Sequence, residues 1–255
     1  MAATFCATHL CLPCIQRPLL RKRLAPVCLS SREASLPSKP KQAVSLTNEF
    51  WLLRHGRSKA NELGIIVSLP ENGLKEDYAL AQEGKLQAEE AGKKLAAAIK
   101  KKDKSQIYIY CSPFSRTVET AVIAARHLGI SEHDANFQIA DELRERFFGS
   151  FELQSHENYV PVWTQDQASS DYQPPGDGES VAQVAARIWK LCDRIEQEHS
   201  GCTVILVSHG DTLSIAWAAL TDQSLLDNRK HGLVTGEVRL LDAKTHAFRE
   251  VNDLS

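Results

Sequence analysis

The sequence has no long hydrophobic run and no strong excess of either charge. Its apolar stretches, such as residues 203–207, are far shorter than the about 20 residues that a membrane-spanning helix needs. The formal net charge of −2 gives no general electrostatic reason to bind nucleic acid. Since 43% of the 255 residues are hydrophobic and 24% are charged, the composition predicts one ordinary globular domain with neither a membrane nor a nucleic-acid partner.

Cysteine is sparse beyond the first 45 residues, which hold four of the seven cysteines. Cys11 and Cys14 form a Cys-x-x-Cys pair, but no second ligand pair follows, so a zinc site is not predicted. Cys111, Cys192 and Cys202 each fall in or beside an apolar pattern, which indicates small buried side chains. Because the chain also lacks the His-Glu-x-x-His, Asp-rich and Gly-x-x-x-x-Gly-Lys motifs, we predict no metal and no cofactor.

Acidic residues are nearly absent from residues 1–45, which contain one acid, Glu33, and seven Arg or Lys residues. A basic, acid-poor start is typical of an organelle transit peptide. A secretory signal places its positive charge before the apolar segment, whereas here Arg17–Arg23 follow the apolar Ala2–Ile15. We therefore expect a transit peptide without a fold of its own, directed to the plastid (chloroplast stroma) because of the Met-Ala-Ala start. A mitochondrial or cytoplasmic location, or a tail without an address, is the alternative.

Residues 46–255 alternate short apolar runs with longer amphipathic ones, which is typical of an α/β domain with a mostly parallel sheet. Strands are predicted at Phe50–Arg54, Ile107–Cys111, Phe137–Ala140, Thr203–Ser208 and Leu233–Leu241. Helices are predicted at Leu80–Lys101, Ser115–Leu128, Glu179–His199 and Asp211–Leu220. Residues 152–180, here called the excursion, are rich in Pro and Gly and are predicted to pass over the edge of the sheet with little periodicity.

Two histidines directly follow predicted buried strands. The sequence reads LLRHGRSKAN over residues 52–61 and VILVSHGD over residues 204–211, so His55 and His209 each follow a strand and precede a glycine. In open α/β sheets, ligands bind at the carboxyl ends of the strands. A single histidine at such a place is more often structural. Two at matching strand ends, the first beside Arg54, favour an anion site.

Arg116 is predicted at the same edge of the sheet. It falls in the first turn of the helix that follows the strand at residues 107–111. Together with Arg54 it supplies two planar guanidinium groups, whose geometry matches the oxygens of a phosphoryl group. This pair predicts a phosphate site.

Glu145 is the candidate proton donor. It precedes Phe147 closely, and partial burial there would let its carboxyl group hold a proton. The alternative is a surface ion pair with Arg144 or Arg146. Glu142 is the next carboxylate to consider for the same role.

Five motifs in order, LLRHGRSKAN, SPFSRTVETA, LRERFFGSFE, PPGDGES and LVSHGD, make residues 50–241 resemble the histidine phosphatase superfamily. The similarity is to the branch that includes the cofactor-dependent phosphoglycerate mutases and many small phosphatases. The resemblance implies a phosphoglycerate mutase-like three-layer α/β sandwich with a mostly parallel central sheet. It also implies catalysis through a phosphorylated histidine without a metal.

The resemblance assigns a role to each candidate residue. The catalytic residues would be His55 as nucleophile, Glu145 as acid and base, and His209; the phosphate-binding residues would be Arg54, Asn61 and Arg116. In chemical terms, neutral imidazole attacks phosphorus, while the arginines and His209 neutralise the equatorial oxygens.

Two departures from the family pattern concern specificity rather than bond breaking. Arg57 stands where relatives usually have Glu or Gln, and Ala81 and Gln82 stand where they usually have Thr and Glu. Arg57 either contacts a substrate anion or is solvated, and we predict that it is solvated.

The excursion separates the possible activities. It has no Lys or Arg but six acids, which are Glu152, Glu157, Asp166, Asp171, Asp177 and Glu179. A mutase must hold a second anionic group, which calls for cations. We therefore predict a phosphatase, a phosphomonoester hydrolase that acts on a small phosphorylated metabolite. Mutase-type phosphoryl transfer and a catalytically silent phosphate-binding regulator are the alternatives. Acids over the pocket would also admit an ammonium group such as that of phosphoserine.

Removing residues 1–45 should leave both folding and hydrolysis intact, because the motifs begin only at Phe50 and the removed segment has too little apolar periodicity to pack. The measurement is the Tm and the rate on p-nitrophenyl phosphate for the full-length and shortened proteins. A large drop in Tm on truncation would contradict the transit-peptide interpretation.

Overall fold

The computed structural model describes residues 46–99, 102–242 and 247–250. The predicted transit peptide lies outside these residues, and so does its Cys-x-x-Cys pair. The transit peptide and the absence of a zinc site at that pair therefore stay predictions. Within the described ranges, every helix is too short or too polar to cross a lipid bilayer.

Six strands form one sheet. Their bounds are Glu49–Arg54 (β1), Ile107–Cys111 (β2), Phe137–Ile139 (β3), Thr203–Ser208 (β4), Val238–Asp242 (β5) and Ala247–Glu250 (β6). Their spatial order is β3-β2-β4-β1-β5-β6. β3, β2, β4 and β1 are parallel, whereas β5 runs antiparallel to β1, and β6 runs antiparallel to β5. The predicted mostly parallel sheet is therefore confirmed.

The predicted strand at Leu233–Leu241 is wrong in its first five residues. Its chain turns before it joins the sheet, since the Glu237 amide donates to the Val234 carbonyl at 3.1 Å and Gly236 adopts a φ of 75°. A left-handed residue of this kind ends an extended run, and glycine adopts that conformation without steric cost. β5 consequently begins only at Val238.

Seven helices are found in the described residues. Their bounds are Lys59–Leu63 (α1), Pro70–Gly73 (α2), Gln82–Ile99 (α3), Ser115–Arg126 (α4), Tyr159–Asp166 (α5), Val181–Glu198 (α6) and Gly210–Leu220 (α7). The four long helices predicted from the sequence correspond to α3, α4, α6 and α7. Each predicted end lies within three residues of the end that the structure describes. Short α1, α2 and α5 were not predicted, because five, four and eight residues give no clear period.

The two faces of the sheet carry different helices. Phe50 and Leu52 pack in a core with residues of α6 and α7, while Trp51 and Leu53 pack in a second core with residues of α3 and α4. Successive strand residues point to opposite faces, so β1 contributes to both cores. This arrangement is the predicted three-layer α/β sandwich.

The excursion is more regular than predicted. Pro161 lies within the first turn of α5, where a missing amide hydrogen costs little. The helix is held by tertiary contacts: Val162 is buried with Phe148, and the Asp166 carboxylate forms an ion pair with buried Arg146. These contacts involve distant residues and are therefore not visible in the local pattern.

Candidate active site

The pairing of β1 with β4 places both motif histidines at one edge of the sheet. The strands are parallel with Arg54 opposite Ser208, so His55 and His209 follow at the same level. Their ring centroids are 5.2 Å apart. Two residues more than 150 positions apart in the sequence thus form one site.

His55 is buried and held in one tautomer. Its Nδ1 lies 2.7 Å from the Gly56 carbonyl oxygen, and since a carbonyl only accepts, Nδ1 carries the proton. Its Nε2 accepts a hydrogen bond from Arg116 Nε at 3.3 Å, so this nitrogen is the unprotonated one that carries the in-plane lone pair. Burial lowers the pKa of His55 well below its ordinary value, and the charges of Arg116 and Arg54 lower it further. Both the burial and the neighbouring charges therefore favour the neutral imidazole.

Gly56 is required by close backbone packing. A Cβ atom at this position would lie 2.2 Å from the carbonyl oxygen of Gly84, which is too short for any side chain. The glycine therefore lets the chain turn next to His55 while the Gly56 carbonyl accepts the hydrogen bond from His55 Nδ1.

Two arginines line the cavity beside His55. Buried Arg116 lies in the first turn of α4 and donates from Nη2 to the Val67 carbonyl at 2.9 Å, and Arg54 donates from Nη1 to the Leu233 carbonyl. Arg116 Nη1 and Arg54 Nε are buried with no hydrogen-bond partner among the described residues. Unpaired buried donors are costly unless an acceptor binds there. Two such donors on adjacent guanidinium groups therefore indicate an anion site.

His209 is fully buried in contact with the His55 ring and is not among the residues that line the cavity. Its Nε2 is 2.8 Å from the Ser112 hydroxyl oxygen, and its ring meets the Phe114 ring at 5.1 Å between centroids. Nδ1 is buried without a partner in the part of the chain described. Burial, followed by the charge of Arg116, lowers its pKa well below the ordinary value. Ser112 was not singled out in the sequence, although it opens the second motif, SPFSRTVETA.

Glu145 is a buried carboxyl group in the cavity wall. Its side chain accepts from the Arg146 backbone amide at 3.0 Å and from the Thr212 hydroxyl at 3.2 Å. Burial raises its pKa, and the negative charge of Asp211 raises it further. The surface ion pair considered from the sequence is thus not what the structure shows. The alternative acid, Glu142, instead faces Arg194 at 3.5 Å and does not line the cavity.

Asn61 lines the cavity from α1. Its Oδ1 accepts from the Ser58 amide at 3.0 Å, as part of the capping box that begins this helix. This bond uses the side-chain oxygen and leaves the amide NH₂ group available to donate. Arg57, by contrast, is half-exposed, pairs with Glu83 at 3.4 Å and does not line the cavity.

The six acids of the excursion do not reach the cavity, which corrects the expectation of an acidic pocket cover. Glu152 accepts from the Ser68 amide at 2.8 Å and from Asn72 at 2.9 Å. Asp166 and Glu179 form ion pairs with arginines, and the other three acids are exposed. The excursion contributes His156, Tyr159 and Trp163 to the cavity instead, none of which was predicted.

Asp211 and Arg229 form the remaining charged part of the cavity. Arg229 Nη1 donates to Asp211 Oδ1 at 2.6 Å, and its guanidinium carbon lies 3.7 Å from the centre of the Trp163 ring. Trp163 Nε1 donates to Asp211 at 3.0 Å. Asp211 belongs to the LVSHGD motif, but no local pattern identifies Arg229. The cavity has a volume of about 200 Å³.

A buried ion pair connects the excursion to this edge. Arg146 is fully buried and donates from two nitrogens to Asp166 of α5, at 2.6 and 2.9 Å. Its Nη1 also lies 3.5 Å from Asp211 Oδ2. The arginine next to Glu145 therefore joins α5 to the first turn of α7.

Among the described residues, no group of three or more His, Cys, Asp and Glu side chains could hold a metal ion. The positive charges at the site come from arginine side chains and from the N-terminal end of α7, which begins directly after His209.

The model of the histidine phosphatase superfamily (branch 1) matches residues 50–253. A 2,3-bisphosphoglycerate-dependent phosphoglycerate mutase of Brucella anthropi is 30% identical over 217 residues, which cover 81% of this chain and 98% of that protein. A metal-independent phosphoserine phosphatase of Arabidopsis thaliana is 28% identical over 191 residues, covering 71% of each chain.

Solved structures share the fold. A phosphoserine phosphatase of Entamoeba histolytica in complex with 3-phosphoglyceric acid superposes with a TM-score of 0.60 at 21% identity, over 76% of this chain and 89% of that one. A mycobacterial glucosyl-3-phosphoglycerate phosphatase in complex with VO3 gives a TM-score of 0.61 at 21% identity, over 76% and 92% of the two chains.

Glu145→Gln should stabilise the protein more at high pH than at low pH. Because the folded-state pKa of Glu145 is raised, its contribution to stability is present below the unfolded value of 4.5 and is lost as pH rises through the folded value. Glutamine keeps the acceptor oxygen but never ionises. The measurement is the Tm of both proteins at about pH 4.5 and about pH 8.5. A Tm difference that is the same at both pH values would contradict the raised pKa.

Proposed function

Because the chain belongs to the histidine phosphatase superfamily (branch 1), we propose that it hydrolyses small phosphate monoesters through a phosphohistidine on His55, without a metal ion. The observation that carries the proposal is the state of His55: Nδ1 is tied to the Gly56 carbonyl, and the lone pair of Nε2 lies beside the Arg116 guanidinium. A neutral nucleophile next to a paired-arginine anion site fits in-line attack on phosphorus.

In the first step, His55 Nε2 forms a bond to phosphorus while the phosphorus–oxygen bond to the leaving alcohol breaks. Arg54 and Arg116 bind the equatorial oxygens through the donors that have no hydrogen-bond partner among the described residues. Glu145, whose pKa is raised by burial, gives its proton to the departing oxygen. The products of this step are the free alcohol, phosphohistidine and the Glu145 carboxylate.

In the second step, the Glu145 carboxylate takes a proton from water as the water oxygen attacks the phosphohistidine. The nitrogen–phosphorus bond breaks, inorganic phosphate forms, and His55 regains its lone pair. Glu145 ends the cycle protonated, as it began. One group therefore serves as acid and then as base, which its buried position supports because the proton is not lost to bulk solvent.

Mutase-type transfer would need a second anion subsite able to hold a bisphosphorylated intermediate. The excursion supplies no Lys or Arg, and Arg229, which also lines the cavity, is already paired with Asp211. A cavity of about 200 Å³ also lies below the about 300–1,000 Å³ of pockets for drug-sized ligands. These features favour hydrolysis of a small ester.

A catalytically silent phosphate binder is disfavoured by Glu145. A buried carboxyl group beside an anion site weakens phosphate binding whenever it ionises, so a pure binding protein gains nothing from it. An acid of raised pKa at this place is useful only if a proton must be transferred.

During turnover, the wild-type protein should carry an acid-labile, base-stable phosphate on His55, and His55→Ala should abolish hydrolysis. Two successive displacements should retain configuration at a chiral phosphorus, because each step inverts it once. The measurements are acid and base quenching with peptide mapping, and the configuration of phosphate released from a chiral thiophosphate ester. Inversion of configuration would mean direct attack by water.

Glu145→Gln should slow alkyl phosphates by about 10²- to 10⁴-fold, because an alkoxide leaves poorly without a proton. Nitrophenolate leaves unaided, so the first step on p-nitrophenyl phosphate should stay fast while the second step lacks its base. Rapid mixing should then show a burst of nitrophenol followed by slow turnover. Glu142→Gln is the matched control, and it should behave as wild type. Equal slowing of both substrates without a burst would remove Glu145 as the leaving-group acid.

A further inference from the structure

Glu145 must be a neutral acid in the first step of the proposed reaction and a carboxylate in the second, although it is a buried residue. Thr212 of α7, which no sequence pattern identified, has its hydroxyl group within hydrogen-bond distance of Glu145. We propose that Thr212 is a positioning residue, whose hydroxyl hydrogen turns from the Arg144 carbonyl to Glu145 Oε1 when Glu145 gives up its proton and turns back when Glu145 regains one. This inference rests on the proposed function and adds to it the group that stabilises the Glu145 carboxylate.

The first turn of α7 places Thr212 beside Glu145. His209 directly precedes this helix, and Thr212 is its third residue. The turn that follows His209 thereby brings the Thr212 side chain to Glu145, which lies 67 positions away in the sequence. Thr212 is fully buried, so its hydroxyl hydrogen needs an acceptor from the protein.

The Thr212 hydroxyl has one hydrogen and two acceptors within reach. Its Oγ1 lies 2.9 Å from the Arg144 carbonyl oxygen and 3.2 Å from Glu145 Oε1. A threonine hydroxyl donates one hydrogen bond at a time. The carbonyl is the closer acceptor, but a carboxylate is the stronger one once Glu145 ionises, because hydrogen bonds to charged groups are stronger. Rotation of the hydroxyl about one single bond exchanges the two partners.

The two carboxyl oxygens of Glu145 have different surroundings. Oε1 accepts from the Arg146 backbone amide at 3.0 Å and faces the Thr212 hydroxyl, whereas Oε2 makes no hydrogen bond to any described residue. A backbone amide only donates, so the proton of the neutral acid belongs on Oε2. Since Glu145 lines the cavity, Oε2 is the oxygen that exchanges this proton with a substrate or with water.

The two proton transfers balance with Thr212 changing only its hydrogen-bond partner. In the first step, the O–H bond at Oε2 breaks, the proton passes to the leaving oxygen, and the Thr212 hydrogen turns from the Arg144 carbonyl to Oε1. In the second step, Oε2 takes a proton from the attacking water, and the Thr212 hydrogen returns to the carbonyl. The carboxylate that exists between the steps therefore has two donors at Oε1, the fixed Arg146 amide and the mobile Thr212 hydroxyl.

Charged and titratable side chains from several elements surround Glu145. They are Asp211 on α7, Tyr159 on α5, Arg54 at the end of β1, Arg116 on α4 and Arg187 on α6, while His55, His156 and Arg229 line the same cavity. Burial, followed by the charge of Asp211, raises the pKa of Glu145, and the charge of Arg116 lowers it. Loss of the Thr212 hydroxyl leaves all these groups in place but takes one donor from the carboxylate. The pKa of Glu145 should therefore rise further.

The test is Thr212→Val, which removes the hydroxyl and keeps the shape of the side chain. The first step needs neutral Glu145, so the midpoint of the alkaline fall in kcat/KM for glycerol 3-phosphate should move up by about 1 pH unit. Decay of the phosphoenzyme formed from p-nitrophenyl phosphate needs the carboxylate, so the midpoint of its rise with pH should move in the same direction.

Two variants serve as controls. Thr212→Ser keeps the hydroxyl and should keep both midpoints. Thr221→Val makes the same change in a buried threonine at the other end of α7, whose hydroxyl donates to the Trp217 carbonyl at 2.8 Å. It should leave both midpoints where they are in wild type, because its hydroxyl has no part in the Glu145 hydrogen bonds.

Slower turnover of Thr212→Val with unmoved midpoints, or midpoints that move down, would overturn the proposal, since a merely structural loss lowers rates without raising a titration. If Thr212→Val does not fold by circular dichroism, Thr212→Ala is measured in the same way. If wild type hydrolyses only p-nitrophenyl phosphate, the decay of the phosphoenzyme decides alone. If it hydrolyses neither ester, the proposed function fails. The Thr212 contact is then judged by the pKa of Glu145 from a carbon-13 NMR titration, assigned with Glu145→Gln, and an equal pKa in wild type and Thr212→Val rules it out.

Discussion

The in-register parallel pairing of β1 with β4 is the constraint on which the rest of the site depends. It sets Arg54 opposite Ser208, so both histidines leave the sheet at the same level and their rings meet. The same register sends Phe50 and Leu52 into one core and Trp51 and Leu53 into the other. A slip by one residue would exchange these faces, so the hydrophobic cores that fix the register also fix the relative positions of His55 and His209.

The buried Arg146–Asp166 pair extends this geometry to the excursion. Because both groups are almost wholly removed from water, loss of either partner would leave an uncompensated charge, a change that costs about 3–5 kcal/mol in buried pairs generally. The pair fixes α5, and α5 places Tyr159 and Trp163 in the cavity wall. The stability of the domain and the shape of the cavity wall that α5 forms are therefore linked through Arg146.

The sequence allowed the sheet, the long helices and the grouping of Arg54, His55 and Arg116 at one edge to be predicted, because each depends on local patterns such as a histidine after an apolar strand. It did not reveal the part of the cavity that Trp163 and Arg229 line. Trp163 and Arg229 meet only in the folded chain, and neither stands in a recognisable motif. Counting acids in the excursion was misleading for the same reason, since Glu152 and Asp166 are satisfied by Asn72 and Arg146 rather than facing the cavity.

The buried donors on Arg54 and Arg116 that have no partner among the described residues have a consequence for the rate of turnover. In the proposed reaction they bind the phosphoryl group itself, so they would recognise inorganic phosphate as well as the ester from which it came. Binding energy that does not distinguish substrate from product raises affinity for both. An enzyme of this design is therefore subject to product inhibition, and its rate in a compartment falls as the free phosphate of that compartment rises.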